Sequence, residues 1–566
     1  MHMIRKTPAL AAAAVLGAGL LALTACAPGT PSSGPSTDPN SLPAVGWTEV
    51  DPSTLQQGGT LNLAVTNSPS DDGNWNNNTA EGAEVMATTV EAPTYGTAIT
   101  INADGSWKAN KDYAESIELT SEDPQVITVK LNDKAVWEDG SPITADDYQA
   151  TWHALSGQDP AYNIASSAGF EQVTDFTKVD DYNFSFTVSP VYADWPNIMN
   201  AAILPAKMAS DPDTWNTGFV DTPMPSNGPY KFTSVDSAAN VFVAEPNPNW
   251  WGDKPKLDKI TFTVIDQETQ AQSFANDEID AVEIATPDAY LSAQDKKGAE
   301  ILRSGGLTYS QVTFNGTVAP LDDPLVRQAI AHGIDRDIMG KAANEPLDAP
   351  SSPVGNYILM PGQDGYTDTT GDVLKHDPDA AMKLLEQAGW THEDGKWTKD
   401  GQTLEVSVIV PQGVASNELR AQQIQASLKD IDVAVKIDES PSADYFQNIS
   451  DGKYQLATFG WQGTAFNISS SESLFYPEQK PGDDQGQNYA FVSDDKLGPL
   501  WEQANAELDP QKRIEIAKQI NDVIAAYVPM LPLFAYPNVY AVDGDLANYG
   551  PATFASVDWT KVGFTK

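Results

Sequence analysis

Apolar and polar residues alternate in short runs along most of this chain. The first clear run is TLNLAV at 60–65, where Leu61, Leu63 and Val65 fall on one side. A period of two marks a strand with one buried face. The same alternation recurs at 127–131, 183–188, 260–265, 404–410 and 433–438. Between these runs the spacing becomes helical. Thr144 and Asp147 form a capping-box pair ahead of Tyr148, Trp152 and Leu155. Asp323-Pro324, Asp377-Pro378 and Asp509-Pro510 each open a helix. In each, the aspartate accepts from an otherwise unpaired amide, and proline at the first helical position needs no donor. Val326, Ile330 and Ile334 stripe the first of the three, Gly389 closes the second, and Ile514, Ala517, Asn521 and Ile524 stripe the third. The run of strand 404–410, helix 416–430 and strand 433–438 predicts a βαβ unit with parallel strands. The pattern is that of an α/β protein without an internal repeat.

The first 57 residues follow another logic. Arg5 and Lys6, an apolar run from Pro8 to Ala22 and small residues before Cys26 have the layout of an export signal. The apolar run falls short of the ~20 residues a helix needs to cross a bilayer. Leu23-Thr24-Ala25-Cys26 resembles the lipobox of bacterial lipoproteins, and Cys26 is the single cysteine among 566 residues. The resemblance implies a signal peptide at 1–25, lipidation of Cys26 and a mature chain outside the cytoplasm. It would be tethered to the bacterial cell membrane by acyl chains and not by a transmembrane helix. Residues 27–45 are rich in Pro, Ser, Gly and Thr, a linker composition, so 26–57 is expected to hold the folded body off the membrane.

Composition narrows the function. With one cysteine there is no intramolecular disulfide, and stability must come from burial across several domains. The formal net charge of −45, with no basic patch to offset it, argues against nucleic-acid binding. The acidity itself reads as a solubility property. No Gly-x-Ser-x-Gly, phosphate-binding Gly-x-x-x-x-Gly-Lys or His-Glu-x-x-His motif is present. His153, His332, His376 and His392 are too scattered for a metal cluster. A calcium loop on Asp72, Asn74 and Asn76 fails at Asn77 and Ala83. Neither a cofactor nor a metal is expected, and the chain is expected not to be an enzyme.

Four stretches carry a more specific signal: VWEDGSPITADDYQATW (136–152); Asn227-Gly228-Pro229-Tyr230 with NPNWWGDKPKLDKITF (247–262); TFNGTVAPLDDPLVRQAIAHGIDR (313–336); and FGWQG (459–463) after Tyr454. Their order and content resemble family 5 of the bacterial extracellular solute-binding proteins, which includes the peptide-, dipeptide- and nickel-binding components of ABC importers. The resemblance implies a two-lobed periplasmic-binding-protein-like fold (class II, cluster C) with an extra subdomain in lobe I. Lobe I is expected at 58–282, with the inserted subdomain near 80–205, lobe II at 283–526, and a C-terminal return to lobe I at 527–566. The crossings between lobes are expected after strand 260–265 and after the helix that starts at Asp509.

It further implies a monomeric receptor that binds an oligopeptide or dipeptide between the lobes and passes it to an ABC permease and its ATPase. A chelated metal, haem, siderophore or oligosaccharide is the alternative solute within the family, and a surface hydrolase the remote one. In peptide-binding relatives the segment matching Gly460, Trp461, Gln462 and Gly463 pairs with the peptide backbone, and an aspartate just after it takes the α-amino group. Thr464 stands at that place here. A hydroxyl offers no charge-assisted bond to an ammonium. Another acid, among Asp71, Asp72 and Glu472, or a ligand without a free amino terminus would account for the change. From the loop after the first strand, Asn67, Trp75 and Asn76 are candidates. Asn315 is a candidate from the third stretch, whereas Arg327 there is expected to be an internal partner of an acid.

Overall fold

The computed structural model describes residues 42–68, 74–83, 89–482 and 486–566. The expected signal, Cys26 and the first half of the expected linker lie outside the described residues, as do Asp71 and Asp72. The second half, 42–57, is not a free linker: Val45 bridges Ala552, the Gly46 amide donates to the Pro551 carbonyl, and Leu55 is buried. The alternating runs form strands and sort into two main sheets. The first has seven strands, in the order Ala299–Ser304, Asn538–Asp543, Ala281–Glu283, Thr60–Val65, Lys259–Val264, Val241–Pro246 and Tyr230–Asp236. Thr60–Val65 sits near its middle, parallel to both neighbours, with Leu61, Leu63 and Val65 all buried.

Inserted in this first lobe is a four-stranded antiparallel sheet of Ala114–Glu122, Gln125–Leu131, Asn183–Val188 and Val173–Lys178. It is covered by the helix Ala145–Leu155. The capping pair forms there, with the Thr144 amide donating to Asp147 Oδ2 at 2.7 Å. Trp152 drives that helix onto the sheet, edge-on to Phe176, Phe184 and Phe186. One continuous hydrophobic core joins this subdomain to the seven-stranded sheet.

The second sheet has six strands, in the order Ser352–Pro353, Met530–Ala535, Thr308–Phe314, Leu456–Gln462, Glu405–Pro411 and Ala434–Ser440. Glu405–Pro411, the helix Ala415–Lys429 and Ala434–Ser440 form the expected βαβ unit, with the two strands parallel. The three Asp-Pro helices form at Pro324–Gly333, Pro378–Gln387 and Pro510–Tyr527, each capped by its aspartate. These elements make the second lobe of a two-lobed α/β fold.

The chain changes sheets later than expected. Ala281–Glu283 and Ala299–Ser304 still belong to the first sheet, and Met530–Ala535 still belongs to the second. The crossings therefore fall at 305–307 and 536–537. The short strands Ala281–Glu283 and Ala299–Ser304 carry too little alternation to be read from sequence, and Met530–Ala535 is buried on both faces. The two crossing segments run side by side: a Cβ on Gly306 would lie 1.9 Å from the Tyr536 carbonyl oxygen, so only glycine fits.

Candidate functional site

Strand directions locate the cleft. Ala281–Glu283 pairs antiparallel with Asn538–Asp543, Glu283 opposite Tyr540, so its carboxyl end points toward the crossings. Leu456–Gln462 pairs antiparallel with Thr308–Phe314, Gln462 opposite Thr308, so its carboxyl end points there too. In open α/β sheets ligands lie outside the carboxyl ends of the parallel strands. Here those ends face each other from two lobes across a pair of close-packed crossings.

Leu456–Gln462 has one finished edge and one open edge. Along Thr308–Phe314 it is paired throughout, whereas against Glu405–Pro411 it pairs only at Leu456 and Ala457. The Gly463 amide donates to the Leu307 carbonyl, so backbone groups of residues 459, 461 and 463 face the finished edge. Alternation turns those of residues 458, 460 and 462 to the other side. The Thr458 carbonyl is already taken there, by Asn417 Nδ2 at 2.7 Å and the Tyr445 hydroxyl at 3.0 Å. Beyond it, Gly460 and Gln462 are exposed, each presenting one N–H and one C=O to the cleft side.

Aromatic rings flank this edge. Trp461 stacks on Tyr489, centroids 6.0 Å apart and planes 10° from parallel. Phe459 meets both rings edge-on, and Phe446, 56% exposed, meets Phe459. Two shallow pockets adjoin the patch, one lined by Trp461 and Tyr489, the other by Met360 and Gln462. Behind the edge lies Arg420, a buried guanidinium whose partners are all neutral: Thr458 Oγ1, Asn417 Oδ1 and the Tyr536 hydroxyl. Among the described residues no carboxylate pairs with it.

The lobes also touch directly. Arg513, on the helix Pro510–Tyr527, forms a bidentate ion pair with Asp194 of the inserted subdomain. Both side chains are largely buried. The Ala193 amide donates to the Asn505 carbonyl at 2.7 Å beside it.

Comparison with known proteins places this architecture. The model of the bacterial extracellular solute-binding proteins, family 5 middle region, matches residues 108–483. This chain belongs to that family. Over 537 residues it is 35% identical to the oligopeptide-binding protein OppA of Mycobacterium tuberculosis, covering 92% of this chain and 88% of that protein. Among solved structures, the periplasmic EDTA-binding protein EppA aligns with a TM-score of 0.81 at 22% identity, over 93% of this chain and 99% of that one. The oligopeptide-binding protein AppA of Bacillus subtilis, solved with a nonapeptide, aligns at 0.68 and 21% identity over 90% of this chain and all of that one.

Against the residues expected to line the site in this family 5 protein, the structure divides them. Gly460, Trp461 and Gln462 lie on the open strand, and Gly463 closes its end, packed so tightly that a Cβ would sit 2.5 Å from Met360 Cγ. Asn67 is exposed past the carboxyl end of Thr60–Val65. Trp75 and Asn76 are elsewhere. Trp75 is fully buried, edge-on to Phe232 and Phe242, with its amide on the Phe219 carbonyl. Asn76, also fully buried, donates to the Trp215 carbonyl and accepts from Asn78. Both hold the first lobe's loop together and leave no surface to a ligand.

Asn315 is likewise buried, donating to the Gly452 and Tyr454 carbonyls, so it positions the turn that leads into the open strand. Thr464 is exposed, but its hydroxyl accepts from the Phe466 amide and meets Ser470 Oγ, closing a turn. Glu472 accepts from Asn505 Nδ2 at 2.7 Å; burial raises its carboxyl pKa and that bond opposes the rise. Arg327 is internal as expected, but its partners are the Leu321, Tyr527 and Val528 carbonyls and not an acid. The C-terminal carbonyls of a helix carry the partial negative charge a guanidinium seeks.

Three residues near the cleft escaped the sequence reading: Tyr489, Arg420 and Glu283. The first two lie in stretches that show no motif. The third ends a strand of three residues.

Proposed function

We propose that this protein is the lipid-anchored receptor of an ABC importer and captures a peptide between its lobes. The observation that carries this reading is the open edge at Gly460 and Gln462. An extended peptide adds there as a strand, taking up two N–H and two C=O groups that the sheet leaves unpaired. Main-chain pairing is indifferent to sequence, and the rings of Trp461, Tyr489 and Phe446 supply apolar contact to varied side chains. The kinship with peptide-binding proteins such as OppA points the same way. The lobe hinge lies in the crossings at 305–307 and 536–537, and ligand favours the closed form by binding it better than the open one. Transport energy comes from the partner ATPase, and the protein acts as a monomer that performs no chemistry on its solute.

The capture test is retention of peptides from a randomised pentapeptide pool by the purified protein, read by mass spectrometry after gel filtration. Retention of many sequences supports the reading, and retention of none overturns it. The anchor has its own test. Cys26→Ala is expected to release the protein from the membrane fraction or leave it uncut, because stable anchoring needs more than one acyl chain. A variant still processed and membrane-bound excludes the lipid anchor.

A further inference from the structure

Glu283 closes the strand Ala281–Glu283 on the cleft side. Its neighbour Val282 enters the core beside Phe274 and Val539, while Ala281 joins the opposite core with Leu61, Leu63 and Val65. Period two therefore turns Glu283 to the face of Ala281. Across the antiparallel pair it meets Tyr540, and the parallel register of Leu63 with Ala281 sets it beside Val65. It thus stands at the carboxyl ends of two adjacent parallel strands, where such sheets hold ligands.

Its environment is unusual for a carboxylate. Glu283 is exposed, yet the protein packed beside it takes away part of its solvation, and that alone raises its pKa above the ordinary glutamate value. Among the described residues, no hydrogen bond or ion pair takes up this carboxylate. The groups that face it are the Tyr540 and Tyr549 phenols, both with pKa values raised. The nearby ions are engaged elsewhere: Asp280 accepts from the Asn62 amide, and Lys296 is held by Asp277 and Asp543.

The position is within a ligand's reach of the open edge. Tyr540 and Tyr536 are four residues apart, about 13 Å of extended chain. The Tyr536 amide donates to the carbonyl of Thr308, which lies opposite Gln462. With the three steps between neighbouring strands added, the path from Gln462 to Glu283 is at most about 28 Å, which roughly eight extended residues span.

We propose that Glu283 is the carboxylate that reads a cationic group on the ligand, either a peptide's amino terminus or a basic side chain. The proposal rests on the peptide reading above. It gives the missing acid at Thr464 a counterpart on the other lobe, where closure brings the charge to the ligand. A charge-assisted bond to a ligand cation supplies the partner that the fold withholds.

Four randomised octapeptide pools test this with the full chain: amino terminus free or acetylated, each with and without Lys and Arg. The wild type is expected to retain cation-bearing pools at least tenfold over the acetylated pool that lacks Lys and Arg. In Glu283→Gln that ratio should fall to near one, and Glu283→Asp should keep part of it, which separates loss of charge from loss of fold. Which cation-bearing pool is favoured tells the terminus from the side chain. A wild type without cation preference, or a preference that survives in Glu283→Gln, overturns the proposal and leaves peptide capture standing. Retention of no pool overturns both.

Discussion

Trp75 and Trp461 come from opposite lobes, and each stands in a stretch with the look of a ligand site. Trp75 follows the first strand amid asparagines, and Trp461 lies in FGWQG. The fold treats them in opposite ways. Trp75 has no exposed surface and locks a loop against Phe232 and Phe242. Trp461 is only partly buried, stacks on Tyr489 and borders a strand edge that no strand completes among the described residues. Residue type does not separate the two cases. Backbone pairing does: residues 74–76 bond to one another and to the segment 215–219, whereas the second lobe's strand leaves groups for a ligand.

The sharpest way to break this contrast is to truncate both rings. Trp75→Ala should cost about 3–5 kcal/mol of stability, the usual range for a fully buried tryptophan, and leave the affinity of the remaining folded protein little changed. Trp461→Ala should do the reverse, with a smaller drop in melting temperature and a tenfold or greater loss of peptide affinity. Denaturant titration and calorimetric binding on both variants check the pair. A Trp75→Ala protein that is stable but binds poorly would return that residue to the cleft wall.

The ion pair between the lobes comes next. Removing one partner of a buried pair costs about 3–5 kcal/mol when the other stays buried. Arg513 has an escape, because opening the lobes returns it to water. Asp194→Ala should therefore show part of that cost as a shift toward the open form. Small-angle scattering of the ligand-free variant is expected to give a larger radius of gyration than the wild type, and peptide should bring it back. Equal radii in the two proteins would mean that the pair does not hold the lobes together.

The edge itself is tested by Gly460→Pro. Proline removes an N–H that pairs with no group among the described residues, so the sheet should tolerate it, as edge positions do. A peptide paired there loses one hydrogen bond, about 0.5–1.5 kcal/mol, or roughly two- to tenfold in affinity. Unchanged affinity with a range of peptides would move the pairing off this strand.

How far sequence reaches is clear from the same two regions. Half-buried strands and Asp-Pro helices were legible because each depends on local spacing and a local cap. FGWQG was legible through its resemblance to a family. The crossings were not, since Ala281–Glu283 is three residues long and Met530–Ala535 is buried on both faces, which leaves no alternation to follow. Trp75, Asn76 and Asn315 misled because burial depends on partners distant in sequence: Phe232 and Phe242, the Trp215 carbonyl, and the turn at 452–454. Glu283 escaped because an acid among 78 acidic residues carries no mark until its surroundings are known.

Glu283 also carries the smallest predicted effect. Its pKa is raised by desolvation in the folded protein, so across the range between the ordinary and the raised value the native state binds more protons than the unfolded state. Stability of the empty protein then falls as pH rises through that range, and the deficit persists above it. Below the ordinary glutamate pKa the carboxyl is neutral in both states and the deficit vanishes. Glu283→Gln removes the titrating group, so its melting temperature should match the wild type in acid and exceed it slightly at neutral pH. Tyr540 and Tyr549, the phenols facing it, stay neutral throughout and leave the sign unchanged. A residue retained against stability is what a binding site predicts. Saturating the wild type with a cationic peptide should close the gap, since the ligand then supplies the carboxylate's partner. A variant less stable than the wild type at neutral pH would instead assign Glu283 to the fold and return the cleft's charge reading to other residues.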